Sequence, residues 1–363
     1  MKVIISGGGS GGHIFPAIAI ADKIKDRVPN AEILFVGASG KMEMEKVPKA
    51  GYSIKGLPIR GLQRKLTLRN LSFPFRLVAS LAKAARIIKD YKPDIAIGVG
   101  GYASGAVLRV AAFKGIKTLV QEQNGYPGLT NKLLASKVDK ICVAYKGMEK
   151  YFPEDKIVLT GNPVREGMQN HKDSIEEARK HFGLSPEKKT VLLFGGSLGA
   201  RSLNEAMEQN TEMLASRSDI QWLWQCGKLY VDKFKNTDTA NLPHVQITKF
   251  IDRMDLAYKA SDLAVTRAGA LSISELSLVG QAAILIPSPN VVEDHQTKNA
   301  KALVESNAAI LIEDKFASHE MVQQSFKLMD SPERINTLSV NVKKLAQPMA
   351  ADLIVDEIIK LCT

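Results

Sequence analysis

Short apolar runs alternate with segments of helical length from one end of the chain to the other. Runs of this kind, rich in β-branched residues and lacking internal alternation, are the pattern of buried parallel strands. They predict strands over 3–6, 33–36, 94–98, 118–121 and 140–143 in the first half. In the second half they predict strands over 190–194, 221–225, 245–247, 263–266, 283–286 and 309–312. Regular succession of strand and helix implies parallel sheets covered by helices on both faces, an α/β architecture. The halves also begin alike: VIISGGGSGG from Val3 and VLLFGGSLGA from Val191 each read as strand, glycine turn and helix start. Two doubly wound domains in tandem are therefore expected, 1–163 and 164–345, joined near Gly161-Asn162-Pro163, where Pro163 stops a helix from continuing. After Pro348, AADLIVDEIIKLC sets Leu353, Ile354, Ile358, Ile359 and Leu361 on a helical face, so residues 346–363 are expected to pack back onto the first domain.

Length and composition agree with this outline, since 363 residues at about 150 per domain suit two cores. The three cysteines, Cys142, Cys226 and Cys362, are too few and too far apart for a disulfide framework or a C-x-x-C site, which fits a reducing cytoplasm. MKVIIS runs straight into glycines, so no signal peptide is expected, and no stretch approaches the ~18 apolar residues of a spanning helix. Charge changes the picture more. The net charge is +11, and between Arg60 and Lys92 nine basic residues face one acidic residue, Asp90. That excess favours an anionic partner: nucleic acid, phosphorylated ligand or anionic membrane surface.

Gly7, Gly9 and Gly12 match the G-x-G-x-x-G dinucleotide fingerprint directly after a strand. A nicotinamide enzyme also needs an acid at the end of the second strand to hold ribose. That strand ends Phe35-Val36-Gly37-Ala38, with no acid. What survives is a helix N-terminus with bare backbone N–H groups, a site suited to phosphate. His13 follows immediately, at the carboxyl ends of the strands where open α/β sheets bind ligands, and imidazole is the commonest general base near neutral pH. Three further segments hold the same position after a strand. Gly98-Val99-Gly100-Gly101-Tyr102-Ala103-Ser104-Gly105 opens one helix, Gly195-Gly196-Ser197-Leu198-Gly199 another, and Thr266-Arg267-Ala268-Gly269-Ala270-Leu271-Ser272 a third, with Glu275 one turn in. A carboxylate there can accept from both ribose hydroxyls or merely favour the helix dipole. Asp294 and His295 lack a third ligand at metal spacing.

These segments in this order closely resemble the bacterial glycosyltransferases that add N-acetylglucosamine (GlcNAc) to undecaprenyl-pyrophosphoryl-MurNAc-pentapeptide, the lipid I to lipid II step of peptidoglycan synthesis. The stretches are GGGSGGHIFPAIAIA from Gly7, GVGGYASG from Gly98, QEQNGYPGLTNK from Gln121, GNPVR from Gly161, FGGSLGA from Phe194, TKFIDRM from Thr248, RAGALSISEL from Arg267 and IPSPNVVEDHQTKNA from Ile286. Ala106 departs from the pattern, standing where the family usually carries proline.

The resemblance implies the GT-B fold, two Rossmann-like doubly wound domains facing a cleft, with donor on the C-terminal domain and acceptor on the N-terminal one. It implies that UDP-GlcNAc is held by Arg165, Ser197, the Ile251 backbone, the helix start Ala270, Leu271 and Ser272 with Glu275 on ribose, and Gln296 near the sugar. Ser10, Gly11, Gly12 and Asn124 reach toward the sugar, and Gly12, His13, Gly100, Gly101 and Tyr102 toward the acceptor. His13 is the first choice of general base and Glu122 the second. No cofactor and no metal are expected, the dipole of the Ala270 helix taking the metal's place. The expected location is the cytoplasmic face of the membrane, peripherally attached, with Leu66, Leu68, Leu71, Phe73, Phe75, Leu77 and Val78 interleaved among Arg64, Lys65, Arg69 and Arg76 as a docking face. Three rivals stand beside this reading. A UDP-GlcNAc 2-epimerase has no lipid acceptor, a two-domain binding protein without chemistry is usually exported, and a nucleic-acid binder lacks any recognisable reading module here.

Overall fold

The computed structural model describes residues 1–61, 73–165, 167–168, 173–291 and 294–363. The chain divides into two compact units, Met1–Glu166 with Gln347–Thr363, and Gly167–Ala346. The division at Glu166 falls a few residues beyond the expected join and leaves Arg165 in the N-terminal unit.

In the first unit, strands β1 (Lys2–Ser6), β2 (Glu32–Ala38), β3 (Ser53–Leu57), β4 (Ile95–Gly98), β5 (Lys117–Glu122), β6 (Lys140–Val143) and β7 (Ile157–Leu159) form one parallel sheet in the order β3-β2-β1-β4-β5-β6-β7. The order reverses between β1 and β4, and this switch point is where doubly wound sheets open a ligand crevice. β1 and β4 are buried because helices cover both faces. Ile5, Phe35 and Ile97 share one core with Ile14 and Ile18, while Ile4, Val36 and Ala96 share another with Ile88, Val107 and Leu134.

The C-terminal helix Ala350–Cys362 belongs to the first of these cores. Ile354, Val355 and Ile358 are fully buried there alongside Ile14 and Ala17. Ion pairs from Arg27 to Asp356 (3.0 Å) and Asp352 (3.6 Å) border the contact. Exposed pairs contribute about 0–1 kcal/mol, whereas each fully buried aliphatic side chain contributes about 1.5–3 kcal/mol, so packing holds this helix. Its buried stripe differs from the expected one: Leu353 is 42% exposed and Val355 takes its place.

The second unit repeats the plan with β8 (Lys189–Phe194), β9 (Ile220–Gln225), β10 (Val245–Thr248), β11 (Leu263–Thr266), β12 (Ala283–Leu285) and β13 (Ile310–Leu311), all parallel in the order β10-β9-β8-β11-β12-β13. Its switch point lies between β8 and β11. Trp222 and Trp224 on β9 are both fully buried. The cysteines are free: Cys142 and Cys226 are buried and Cys362 is exposed. Burial pushes the Cys142 thiol up to about 12, so it remains an inert part of the core.

Candidate active site

At the N-terminal switch point, the turn Gly7–Ser10 leads from β1 into the helix Gly11–Arg27, for which Ser10 is the N-cap. The Ser10 side chain makes no capping hydrogen bond, and the first N–H groups of the helix have no acceptor within it. Across the switch point, the turn after β4 leads into the helix Tyr102–Phe113, with Gly101 as its N-cap. Half-buried His13 sits against this second turn. Gly100 has φ 101°, and a Cβ there would lie 2.8 Å from His13 Nε2, so the ring requires a glycine at that place. On its other side His13 Nδ1 is 2.9 Å from the Gly8 carbonyl oxygen. A carbonyl only accepts, so Nδ1 carries the proton and the neutral ring keeps its lone pair on Nε2. Tyr102 is 43% exposed, and Ala106 is part of the core.

Glu122, at the end of β5, has a different role from the alternative base expected of it. It is 1% exposed, and both carboxylate oxygens are occupied. Asn124 donates to Oε1 from its backbone N–H (3.0 Å) and from Nδ2 (3.1 Å); the Gly128 N–H (3.1 Å) and Asn131 Nδ2 (2.8 Å) donate to Oε2. Four donated hydrogen bonds make Glu122 the anchor of the 123–128 loop and of the helix Leu129–Leu134 that follows it, which fixes Asn124. The Arg165 guanidinium stacks on the Phe15 ring, 4.3 Å from its centroid.

Glu43 was not singled out from the sequence. No acid stands at the very end of β2, but Glu43 lies five residues beyond Ala38 and folds back. Its Oε1 accepts from the Ala38 N–H (2.9 Å) and its Oε2 from the Gly9 N–H (3.0 Å). Gly8 lies directly against the carboxylate at φ 153°, where any side chain would collide with it. Glu43 is 1% exposed, and its carboxylate is spent on the glycine turn and the end of β2.

In the C-terminal unit, Gly195–Gly199 forms a turn, and its helix starts only at Arg201, so half-buried Ser197 belongs to the turn rather than to the helix start. Gln225, at the end of β9, donates from Nε2 to Gly196 O (3.1 Å) and Lys249 O (3.2 Å), tying that turn to the strand-end segment that contains buried Ile251. After β11, Gly269 is the N-cap of the helix Ala270–Val279. Arg267 fastens this turn, donating to Ile286 O (3.0 Å), Ser202 Oγ (2.8 Å) and Asp314 Oδ1 (2.5 Å). Glu275 is 5% exposed, and its Oε2 accepts from the Tyr258 hydroxyl at 3.1 Å. Gln296, in the helix His295–Glu305, accepts at Oε1 from the Ser288 N–H at 2.9 Å. Asp294 is in the left-handed region (φ 50°) and accepts from the Thr297 hydroxyl at 2.6 Å.

Two doubly wound units, each presenting glycine-rich helix starts at its switch point, place the protein in the GT-B class of α/β enzymes. Comparison with known proteins specifies the relation. The N-terminal domain of glycosyltransferase family 28 matches residues 3–143 and its C-terminal domain residues 190–354. The chain belongs to glycosyltransferase family 28. It is 54% identical over 99% of its length, and 97% of the relative's, to the UDP-N-acetylglucosamine--N-acetylmuramyl-(pentapeptide) pyrophosphoryl-undecaprenol N-acetylglucosamine transferase of Flavobacterium psychrophilum. Among solved structures it is similar to the MurG of Acinetobacter baumannii, at 29% identity and a TM-score of 0.72 with 99% of each chain covered. A UDP-GlcNAc 2-epimerase from Neisseria meningitidis shares the fold alone, at 13% identity and a TM-score of 0.70 over 99% of this chain and 100% of that one.

Proposed function

We propose that this chain transfers GlcNAc from UDP-GlcNAc to the C4 hydroxyl of MurNAc in undecaprenyl-pyrophosphoryl-MurNAc-pentapeptide, converting lipid I to lipid II. The observation that carries this reading is the 54% identity to a transferase of that name along 99% of the chain. The chemistry divides between the units. In the N-terminal unit, His13 Nε2 takes the proton of the attacking hydroxyl as its oxygen bonds to the anomeric carbon. The bond from that carbon to the UDP oxygen breaks on the opposite face, and the α-linked sugar becomes β-linked. In the C-terminal unit, Glu275 accepts from the ribose hydroxyls, and Ser197, the Ile251 backbone and Gln296 hold the rest of the donor, with Arg165 of the N-terminal unit also assigned to it. The N–H groups of Ala270, Leu271 and Ser272, which have no acceptor within their own helix, and the positive end of that helix stabilise the diphosphate charge that develops on departure.

This reading needs no cofactor and no metal on the diphosphate. Transfer is therefore expected at undiminished rate in excess EDTA, with a product whose anomeric proton shows the large coupling of a β linkage. Activity lost in EDTA and restored by Mg²⁺ overturns the helix-dipole account, and an α-linked product overturns inversion.

The lipid acceptor requires the protein to work at an anionic membrane surface, on the cytoplasmic face, with peripheral attachment. Among the described residues no helix is long and apolar enough to cross a membrane. Residues 62–72 of the docking segment, with Arg64, Lys65, Leu66, Leu68, Arg69 and Leu71, lie outside the described residues. Of the rest, Phe75 (79% exposed) and Val78 (66%) project from the helix Phe73–Tyr91, whereas Leu77 packs against the core and does not serve docking. Four cations at about 1 kcal/mol each give reversible attachment. Replacing Arg64, Lys65, Arg69 and Arg76 by Ser is expected to reduce binding to anionic vesicles and turnover of vesicle-embedded acceptor, and to spare a short-chain soluble acceptor. Equal loss on both acceptors means that these residues serve the fold.

A further inference from the structure

We propose that Glu43 is a positioning residue for His13, acting through the single peptide unit between Gly8 and Gly9. This rests on the reading of His13 as the base. The two hydrogen bonds at issue belong to the two ends of one amide: its N–H, on Gly9, donates to Glu43 Oε2 at 3.0 Å, and its carbonyl, on Gly8, accepts from His13 Nδ1 at 2.9 Å. A trans amide points these groups in opposite directions, so carboxylate, peptide and imidazole lie in series.

The series has a chemical consequence. Hydrogen bonds in a chain polarise one another. A carboxylate drawing on the N–H makes the Gly8 carbonyl a stronger acceptor. That acceptor holds the ring with Nδ1 protonated and Nε2 facing the Gly100 turn. When Nε2 takes a proton from the acceptor, the Nδ1–H bond to Gly8 becomes charge-assisted and strengthens, and the buried carboxylate supplies negative charge behind it. An acid directly on imidazole would do the same; here an amide stands between them. Glu43 itself is held against movement by the Ala38 N–H at the end of β2, 2.9 Å from Oε1, and Gly8 packs against the carboxylate with no room for a side chain. A residue that only closed a turn would not need to engage the one amide that orients the base.

A double-mutant cycle on the full-length protein tests the relay. Glu43→Gln keeps the size of the side chain but removes its charge, and is expected to lower kcat about tenfold, the range for neighbours in one hydrogen-bond network, with KM for UDP-GlcNAc within about twofold. In the His13→Ala background the same change is expected to alter kcat by less than about twofold, because Glu43 acts only through the ring. Multiplying losses in the double variant overturn the relay and leave Glu43 as a turn anchor. Turnover that survives His13→Ala instead overturns the base assignment on which the relay rests. A second measurement needs no Glu43 variant. In protein labelled with ¹⁵N-histidine, the His13 signal, identified by its loss in His13→Ala, is expected to show the neutral ring protonated at Nδ1. A ring protonated at Nε2 overturns the proposal.

Discussion

His13→Ala is expected to lower turnover about a hundredfold or more, the usual loss when a general base is removed, while UDP affinity stays at the wild-type value. The asymmetry follows from where the groups lie. His13 is in the N-terminal unit, between the Gly8 carbonyl and the Gly100 turn, and the groups assigned to ribose and diphosphate are in the C-terminal unit. Glu122 cannot replace it, being buried with four hydrogen bonds donated to its carboxylate. Steady-state kinetics and titration calorimetry with UDP separate the two quantities. Turnover that persists, or UDP affinity that falls in parallel, removes His13 from the role of base.

Glu275→Ala is expected to show the opposite pattern at the donor. A hydrogen bond to a charged group contributes about 1.5–3 kcal/mol, so UDP affinity should fall about 10- to 150-fold. The buried Tyr258 hydroxyl also loses the acceptor it has at Glu275 Oε2, so Glu275→Gln, which keeps an acceptor oxygen for it, is the informative companion. Both variants should bind UDP weakly, and only the alanine should also lose thermal stability. Wild-type UDP affinity in calorimetry excludes Glu275 from the ribose site.

The alternation of apolar runs was enough to recognise both sheets, because their central strands are buried on both faces and so carry an uninterrupted apolar signal. The two strands that it misses, β3 and β7, are the edges of the first sheet. β3 reads Ser-Ile-Lys-Gly-Leu with alternating exposure, and β7 has only Ile-Val-Leu, none of them fully buried. A half-solvated edge strand needs few apolar residues and leaves a weak mark. The placement of the candidate residues was legible where glycine turns follow strands, as at His13 and at Ala270. Partnerships were not. Glu43 with Gly9, Glu122 with Asn131, Tyr258 with Glu275 and Gln225 with Gly196 are set by which strand ends the sheet brings together. Local sequence carries no register for such contacts. The corrected role of Glu122 has the same origin: a carboxylate in a conspicuous motif can as well hold the loop as perform the chemistry.

The proposed reaction differs from its nearest rival in needing an acceptor. An epimerase of the same fold alters the sugar while it stays on UDP, whereas a transferase moves it. The most direct test is to incubate the purified protein with radiolabelled UDP-GlcNAc, with and without undecaprenyl-pyrophosphoryl-MurNAc-pentapeptide, and to follow the label. The account predicts that label passes into a lipid-linked disaccharide, with release of UDP, only when the acceptor is present. Label that remains on UDP as the 2-epimer, with or without acceptor, would contradict it.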